Sequence, residues 1–162
     1  MKKRRPVRAL EPVTPHELPE LTAFLTTADL TLSGLDAATV RLWILRGSDG
    51  TIEGTTGFEL SDDGAHALIR SVAVAPGSRG AGLGLDLAQF ALDSAAAAGA
   101  SHAWLFSRRS GPFWQKLGFE PAELGALAEA LDSTHQVTLF RQTGQLQREV
   151  AWSRAIGPSS LD

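Results

Sequence analysis

At 162 residues the chain has the length of one domain, and a hydrophobic share of 43% against 20% charged residues is the ordinary balance of a globular protein. A formal net charge of -3 offers no general attraction to nucleic acid, the basic residues Lys2, Lys3, Arg4 and Arg5 being confined to one end, and the absence of cysteine excludes disulfides, thiol nucleophiles and thiolate metal sites. No apolar run approaches the ~18 residues a membrane span requires and no hydrophobic stretch follows the terminal charges, so a cytoplasmic protein is expected.

In chain order, residues 1–6 read as a solvated basic terminus, 7–156 as the domain and 157–162 as a tail. PVRAL, residues 6–10, predicts a first strand. Thr14-Pro15-His16-Glu17 predicts a capping box with proline at the first helical position, opening a helix to about Ala28. From Val40 the pattern turns β-rich: RLWILRG, TIEGTTGFEL and AHALIRSVAVA are separated by the turns Ser48-Asp49-Gly50 and Ser61-Asp62-Asp63-Gly64, which predicts an antiparallel meander. A glycine-rich segment then opens a helix carrying Leu83, Leu87, Phe90 and Ala91 on one side and ending at Gly99. Residues 102–106, HAWLF, predict another strand, and a short helix over 111–117 is stopped by Gly118. Leu124 to Leu131 predicts a helix and REVAWSRA a closing strand. The order implies an α/β (α+β) architecture with a mixed, mostly antiparallel sheet of six or seven strands and helices on both faces.

The segment VAVAPGSRGAGLG, residues 72–84, joins a strand to a helix through bare backbone, an arrangement suited to phosphate. A nucleoside-triphosphate loop needs Gly-Lys-Ser/Thr, and Gly84 is followed by Leu85 and Asp86. A dinucleotide fingerprint needs a third glycine, and the required positions hold Leu85 or Leu87. Arg79-Gly80-Ala81-Gly82-Leu83-Gly84 instead supplies R-x-x-G-x-G. With SVAVAP before it and FWQKLGF after the next strand, it resembles the acetyl-CoA loop of the GNAT N-acetyltransferase superfamily, over roughly residues 7 to 122. LWILRGSDGTIEGTTGFEL, LIRSVAVAP and AEALDSTHQ are similar to small bacterial GNAT proteins associated with arsenic resistance, but this chain has Thr143-Gly144 where those carry a Cys-Pro turn.

The resemblance implies that the main chain of Val72 and Val74 holds the pantetheine arm of acetyl-CoA. It implies too that the amides of Arg79, Gly80, Ala81, Gly82, Leu83 and Gly84 hold its pyrophosphate, and that Phe113 lies on the coenzyme. Backbone donors at a helix N-terminus suit such a ligand. Arg108 and Arg109 are expected in solvent. The expected reaction is direct acetyl transfer to a primary amine of a small molecule, without metal, nucleic acid or membrane, in a chain compatible with a homodimer. An acyl-CoA-binding sensor and a protein or peptide acetyltransferase are the alternatives.

Many GNAT enzymes protonate the leaving thiolate with tyrosine, and this chain has none. Phe113-Trp114 occupies the matching helix, where Trp114 would be a wall of the thioester pocket, and water, Ser110 or the departing ammonium would supply the proton. Glu59, at the end of its strand, is the candidate base and amine contact. Arg70 alternates with Ser71 and suits a carboxylate or similar oxyanion on the acceptor. His16, His66, His102 and His135 show neither metal spacing nor a paired acid, and read as surface or strand-end residues.

Overall fold

The computed structural model describes residues 10–80 and 82–157. The predicted first strand at residues 6–10 lies almost wholly outside that range; a two-residue strand, β1 (Glu11–Pro12), begins the described sheet. Pro15–Glu17 forms a 3-10 turn, and the Glu17 carboxylate reaches back to accept from the Thr14 main-chain N–H at 2.9 Å, as the capping box predicts. The helix α1 (Leu18–Thr27) follows.

The meander is present as predicted: β2 (Val40–Arg46), β3 (Ile52–Leu60) and β4 (His66–Ile69) pair antiparallel in succession. Each turn is held by an aspartate. Asp49 accepts from the Thr51 N–H and Asp63 from the Ala65 N–H, both at 3.0 Å, so a short side chain replaces a ladder bond where the chain reverses.

AHALIRSVAVA does not form one strand. It breaks after Ile69, Ser71 adopts φ 62°, and a separate β5 (Ala73–Val74) resumes pairing with β3. A residue with a Cβ is strained at that φ, and the buried Thr55 hydroxyl secures the break by donating to the Ser71 carbonyl at 2.7 Å. The strict alternation expected of Arg70 and Ser71 is therefore lost.

The chain continues through α2 (Leu83–Ala97), β6 (His102–Phe106), α3 (Gly111–Gln115), β7 (Glu120–Ala122), α4 (Leu124–Ala130), α5 (His135–Thr143) and β8 (Ala151–Ala155). The sheet order is β1-β2-β3-β4-β6-β8-β7, with β5 beside β3; among the described residues only β4 and β6 pair parallel. Neither β7 nor α5 was foreseen. The helix α5 opens at Thr134, whose hydroxyl accepts from the Val137 N–H, and closes at Gly144 with φ 77°. Its polar and β-branched sequence hides an apolar side carried by Val137 and Phe140 alone.

Each face of the sheet is covered by helices. On one, Ala88, Ala91, Leu92 and Ala95 of α2 pack against Phe58, Ile69 and Leu105, small side chains letting the helix lie close to the strands. On the other, Leu21 and Leu25 of α1 bury against Val40, Leu42 and Ile44, while Leu127, Leu131 and Val137 cover Leu68 and Trp104. Each fully buried leucine contributes about 2 kcal/mol of transfer free energy.

Candidate active site

Parallel pairing of β4 with β6 runs from His66↔His102 to Leu68↔Trp104. Beyond it β6 stays with β8, Leu105 facing Trp152 and Phe106 facing Ala151, whereas residues 70–74 follow β3. Two neighbouring strands thus part, and a wedge opens in the middle of the sheet.

One lip of the wedge is strand edge. Ala73 pairs with Thr55 and the Ala75 N–H donates to the Glu53 carbonyl at 2.8 Å, so these residues turn their main chain toward β3. By the period of two, Val72 and Val74 turn theirs into the wedge, where an extended ligand can add as a strand. The edge leads directly to the start of α2. Gly82 caps that helix at φ 79°, and Gly80 stands at φ 90°. A Cβ at either glycine would meet nothing within 4 Å, so both border open space. A loop with left-handed glycines running into a helix N-terminus is an anion cradle, which fits a phosphate-bearing carrier.

The structure brings Val74, Gly84 and Phe113 together. A Cβ on Gly84 would lie 3.5 Å from Phe113 Cε1 and 3.7 Å from Val74 Cγ2. Leu83, half-buried, begins the helix, and Arg79 is exposed with its Nε donating to the Val74 carbonyl at 3.4 Å. Ala81 lies outside the described residues. Trp114 is buried in the core on the α2 side, in one cluster with Ile69 and Leu105 and edge-on to Phe119 at a centroid distance of 5.5 Å. Consecutive helical residues stand about 100° apart, and although the two rings touch edge-on at a centroid distance of 4.9 Å, it is the phenyl of Phe113 that lies beside Gly84. Arg108 and Arg109 are exposed as expected, with Arg108 3.5 Å from Glu149.

Glu59 and Arg70 are both buried, on the sheet face away from α2. Glu59 pairs with Val40 on one side and Leu68 on the other, which puts it level with the end of β4–β6 pairing. Arg70 Nη1 donates to Glu59 Oε1 at 3.3 Å. Burial pulls the Arg70 guanidinium below the usual arginine value, and the Glu59 charge opposes that shift. Arg70 Nε and Nη2 and the Ser71 hydroxyl are buried without a hydrogen-bond partner. Such atoms are rare in folded proteins and mark places where a further polar group belongs.

The residue that sequence reasoning missed is His135. Its main-chain N–H and its Nδ1 each stand 2.6 Å from Glu59 Oε2. The two are 76 positions apart and belong to α5 and β3, so no spacing could have paired them. The loop between α1 and β2 closes over this pair. Ser33 donates to the His135 carbonyl at 3.0 Å, and a Cβ on Gly34 would fall 2.5 Å from His135 Cγ. His66 and His102 are strand-end residues as expected; Trp104 Nε1 donates to His66 Nδ1 at 3.0 Å. Among the described residues no group of three or more histidine, aspartate or glutamate side chains could hold a metal ion, and no helix is long and apolar enough to cross a membrane. A surface cavity of about 550 Å³ against α4 and α5 is lined by none of the predicted site residues.

A parted sheet with a free strand edge leading to left-handed glycines at a helix N-terminus suits an extended, phosphorylated carrier. The model of the acetyltransferase (GNAT) family matches residues 9–119, and the chain belongs to that family. It is similar in fold to N-acetylglutamate synthase from Neisseria gonorrhoeae complexed with coenzyme A and N-acetyl-glutamate, at 18% identity and a TM-score of 0.68. That match covers 93% of this chain and 36% of the synthase, so the chain spans about a third of that relative's length. A Mycobacterium tuberculosis protein in complex with CoA and NLQ aligns at 16% identity and a TM-score of 0.70, covering 92% of this chain and 99% of its own. Nourseothricin acetyltransferase aligns at 18% identity and a TM-score of 0.59, covering 91% and 98%. No curated protein matches significantly in sequence.

Proposed function

We propose that the protein transfers the acetyl group of acetyl-CoA directly to a primary amine on a small molecule that also carries an acidic group. The observation that carries this reading is the unpartnered edge of Arg70. Nε and Nη2 are the two nitrogens through which a guanidinium meets a carboxylate in paired hydrogen bonds, and both are buried and empty beside the wedge. The hydroxyl of the next residue, Ser71, is likewise buried without a partner.

In this reading the main chain of Val72 and Val74 holds the pantetheine arm, the amides from Arg79 to Gly84 hold the pyrophosphate, and Phe113 covers the carrier beside Gly84. Acetyl-CoA supplies an activated acyl carbon. The chain's own groups orient the amine, keep it neutral and exclude water. Glu59, held by Arg70 and His135, provides the negative charge toward which an ammonium proton is drawn. In the absence of any tyrosine, the thiolate takes the proton released by the amine nitrogen as the amide forms.

The test is free-thiol release from acetyl-CoA with a panel of amines: neutral amines, amino acids, amino acids bearing a phosphinate or arsinate, and peptides. Turnover confined to acidic small molecules is expected, and arsinate-bearing amino acids as the best acceptors would tie the chain to arsenic resistance. Equal turnover of neutral and acidic amines sinks the anion assignment. Coenzyme binding without thiol release by any amine would favour the acyl-CoA sensor instead, a reading to which the buried state of Glu59 lends weight.

A further inference from the structure

We propose that Glu59 and His135 act as a carboxylate–imidazole dyad in which His135 Nε2, not Glu59, takes the proton of the acceptor's ammonium group. This rests on the acetyl-transfer reading above and deepens it by naming the base.

Only 1% of the Glu59 side chain is exposed, whereas 44% of the His135 side chain is. With its oxygens already accepting from Arg70 Nη1, the His135 N–H and His135 Nδ1, the carboxylate does not stand open to an incoming amine. Its partner does.

Hydrogen bonding then decides the tautomer. A carboxylate only accepts, so at 2.6 Å the proton between the groups belongs to Nδ1, and in the neutral imidazole the lone pair is then on Nε2. Ring orientation is fixed on the opposite side. Gly34 lies against the Cβ, Cγ and Nδ1 side of His135, where a Cβ would fall 2.5–2.8 Å from those atoms, and we assign the 44% exposure of the side chain to the rest of the ring, which includes Nε2. Main-chain bonds anchor the residue at both ends: the N–H to Glu59 and the carbonyl from the Ser33 hydroxyl. A buried carboxylate, an imidazole locked in the Nδ1–H form and an outward Nε2 are the parts of a positioned general base.

Location agrees with the role. Glu59 is level with Leu68, the last residue of β4 paired with β6, and Arg70 offers its empty edge from the same cluster. The charged groups around His135 are Glu59 from β3 and, through it, Arg70; the loop between α1 and β2 contributes the neutral Ser33 and Gly34. The step balances. An ammonium N–H bond breaks as His135 Nε2 gains the proton, the freed amine lone pair forms the bond to the acetyl carbon, and the carbon–sulfur bond breaks. A second nitrogen proton goes to the thiolate sulfur, and the imidazolium returns its proton to solvent.

The experiment combines a spectroscopic reading of the unaltered protein with two variants. Long-range proton–nitrogen NMR, assigned by loss of the signal in His135→Asn, should show His135 protonated at Nδ1 and bare at Nε2, and Glu59→Gln should abolish that preference. Asparagine keeps an N–H toward Glu59, so His135→Asn should bind acetyl-CoA as the parent does while kcat/KM for the acceptor falls by about 100-fold or more. His135→Ala should regain activity with added imidazole, a response that a structural role would not give. A proton on Nε2, or parent-like kcat/KM in His135→Asn, overturns the dyad alone. No thiol release by the parent with any amine overturns the acetyl-transfer reading and the dyad with it.

Discussion

Arg70 meets Glu59 through one guanidinium nitrogen at 3.3 Å, with 1% of each side chain exposed. Glu59 is on β3 and Arg70 just past the end of the neighbouring β4, with one guanidinium nitrogen engaged and the other two idle. Structural pairing occupies one nitrogen of the group, and the proposed anion binding would use the other two.

Arg70→Ala therefore has two expected effects. It strands a buried carboxylate, costing about 3–5 kcal/mol of stability in a denaturant titration. It also raises KM for acidic acceptors far more than for neutral ones. Arg70→Lys separates them: the charge is kept and most stability with it, but the paired donors are lost, so KM for acidic acceptors should still rise. An Arg70→Lys variant with parental KM on every amine would leave Arg70 with the ion pair alone.

Gly84 lies in the first turn of α2 with φ outside the left-handed region, and a Cβ there would make ordinary contacts with Phe113 and Val74. Gly84→Ala should fold with stability within about 1 kcal/mol of the parent. Gly84→Leu would fill the channel between Phe113 and the β5 edge and weaken acetyl-CoA binding by 10-fold or more, on the order of 1.4 kcal/mol by calorimetric titration. Gly82 is a poorer test, since at φ 79° any side chain also strains the cap.

Trp114→Phe should cost about 1–3 kcal/mol through a core cavity beside Phe119 and Trp152. Turnover per folded molecule should persist, since the indole is packed in the core and carries no proton for the reaction. Complete loss of the chemical step in a folded, coenzyme-binding variant would contradict this.

Acid should loosen the N-terminal part of the sheet. Glu17 is held below its ordinary value of 4.5, first by the Thr14 N–H and then by Arg46, and Glu20 is lowered chiefly by Arg46. A carboxyl depressed in the folded state stabilises the fold above its unfolded value, and that contribution is lost as pH falls through the folded one. Asp49 and Asp63 in the hairpin turns are lowered in the same sense by their turn hydrogen bonds. His102, lowered by burial and then by His66, adds a loss that begins below 6.5, because the unfolded chain takes up the proton first. Thermal midpoints should thus fall below neutrality and more steeply below about 4.5, and Glu17→Gln should reduce the steeper part.

What the residues determined by themselves is local. Thr14 to Glu17, the Asp-Gly turns, the alanine-rich helix after Gly82 and the Gly118 stop are governed by backbone conformation and nearest-neighbour hydrogen bonds, and so were legible, as was the family. The glycine loop belongs with them, because its conformational demand is carried by a few adjacent positions.

Tertiary structure alone decided the rest. Apolar residues on both sides of Arg70-Ser71 in AHALIRSVAVA concealed the break at Ser71, since a positive φ in a serine is imposed by Thr55 across the ladder and not by serine itself. The helix α5 was hidden because two buried side chains, with a cap on either end, outweigh its weak intrinsic preference only once Leu127 and Leu131 are in place. Sequence could nominate Glu59 and Arg70 separately, but not their shared burial or the imidazole set against them. A charge's surroundings depend on which distant segments fold over it, and His135 reaches Glu59 only because α5 and the loop at Gly34 close on the same end of β3.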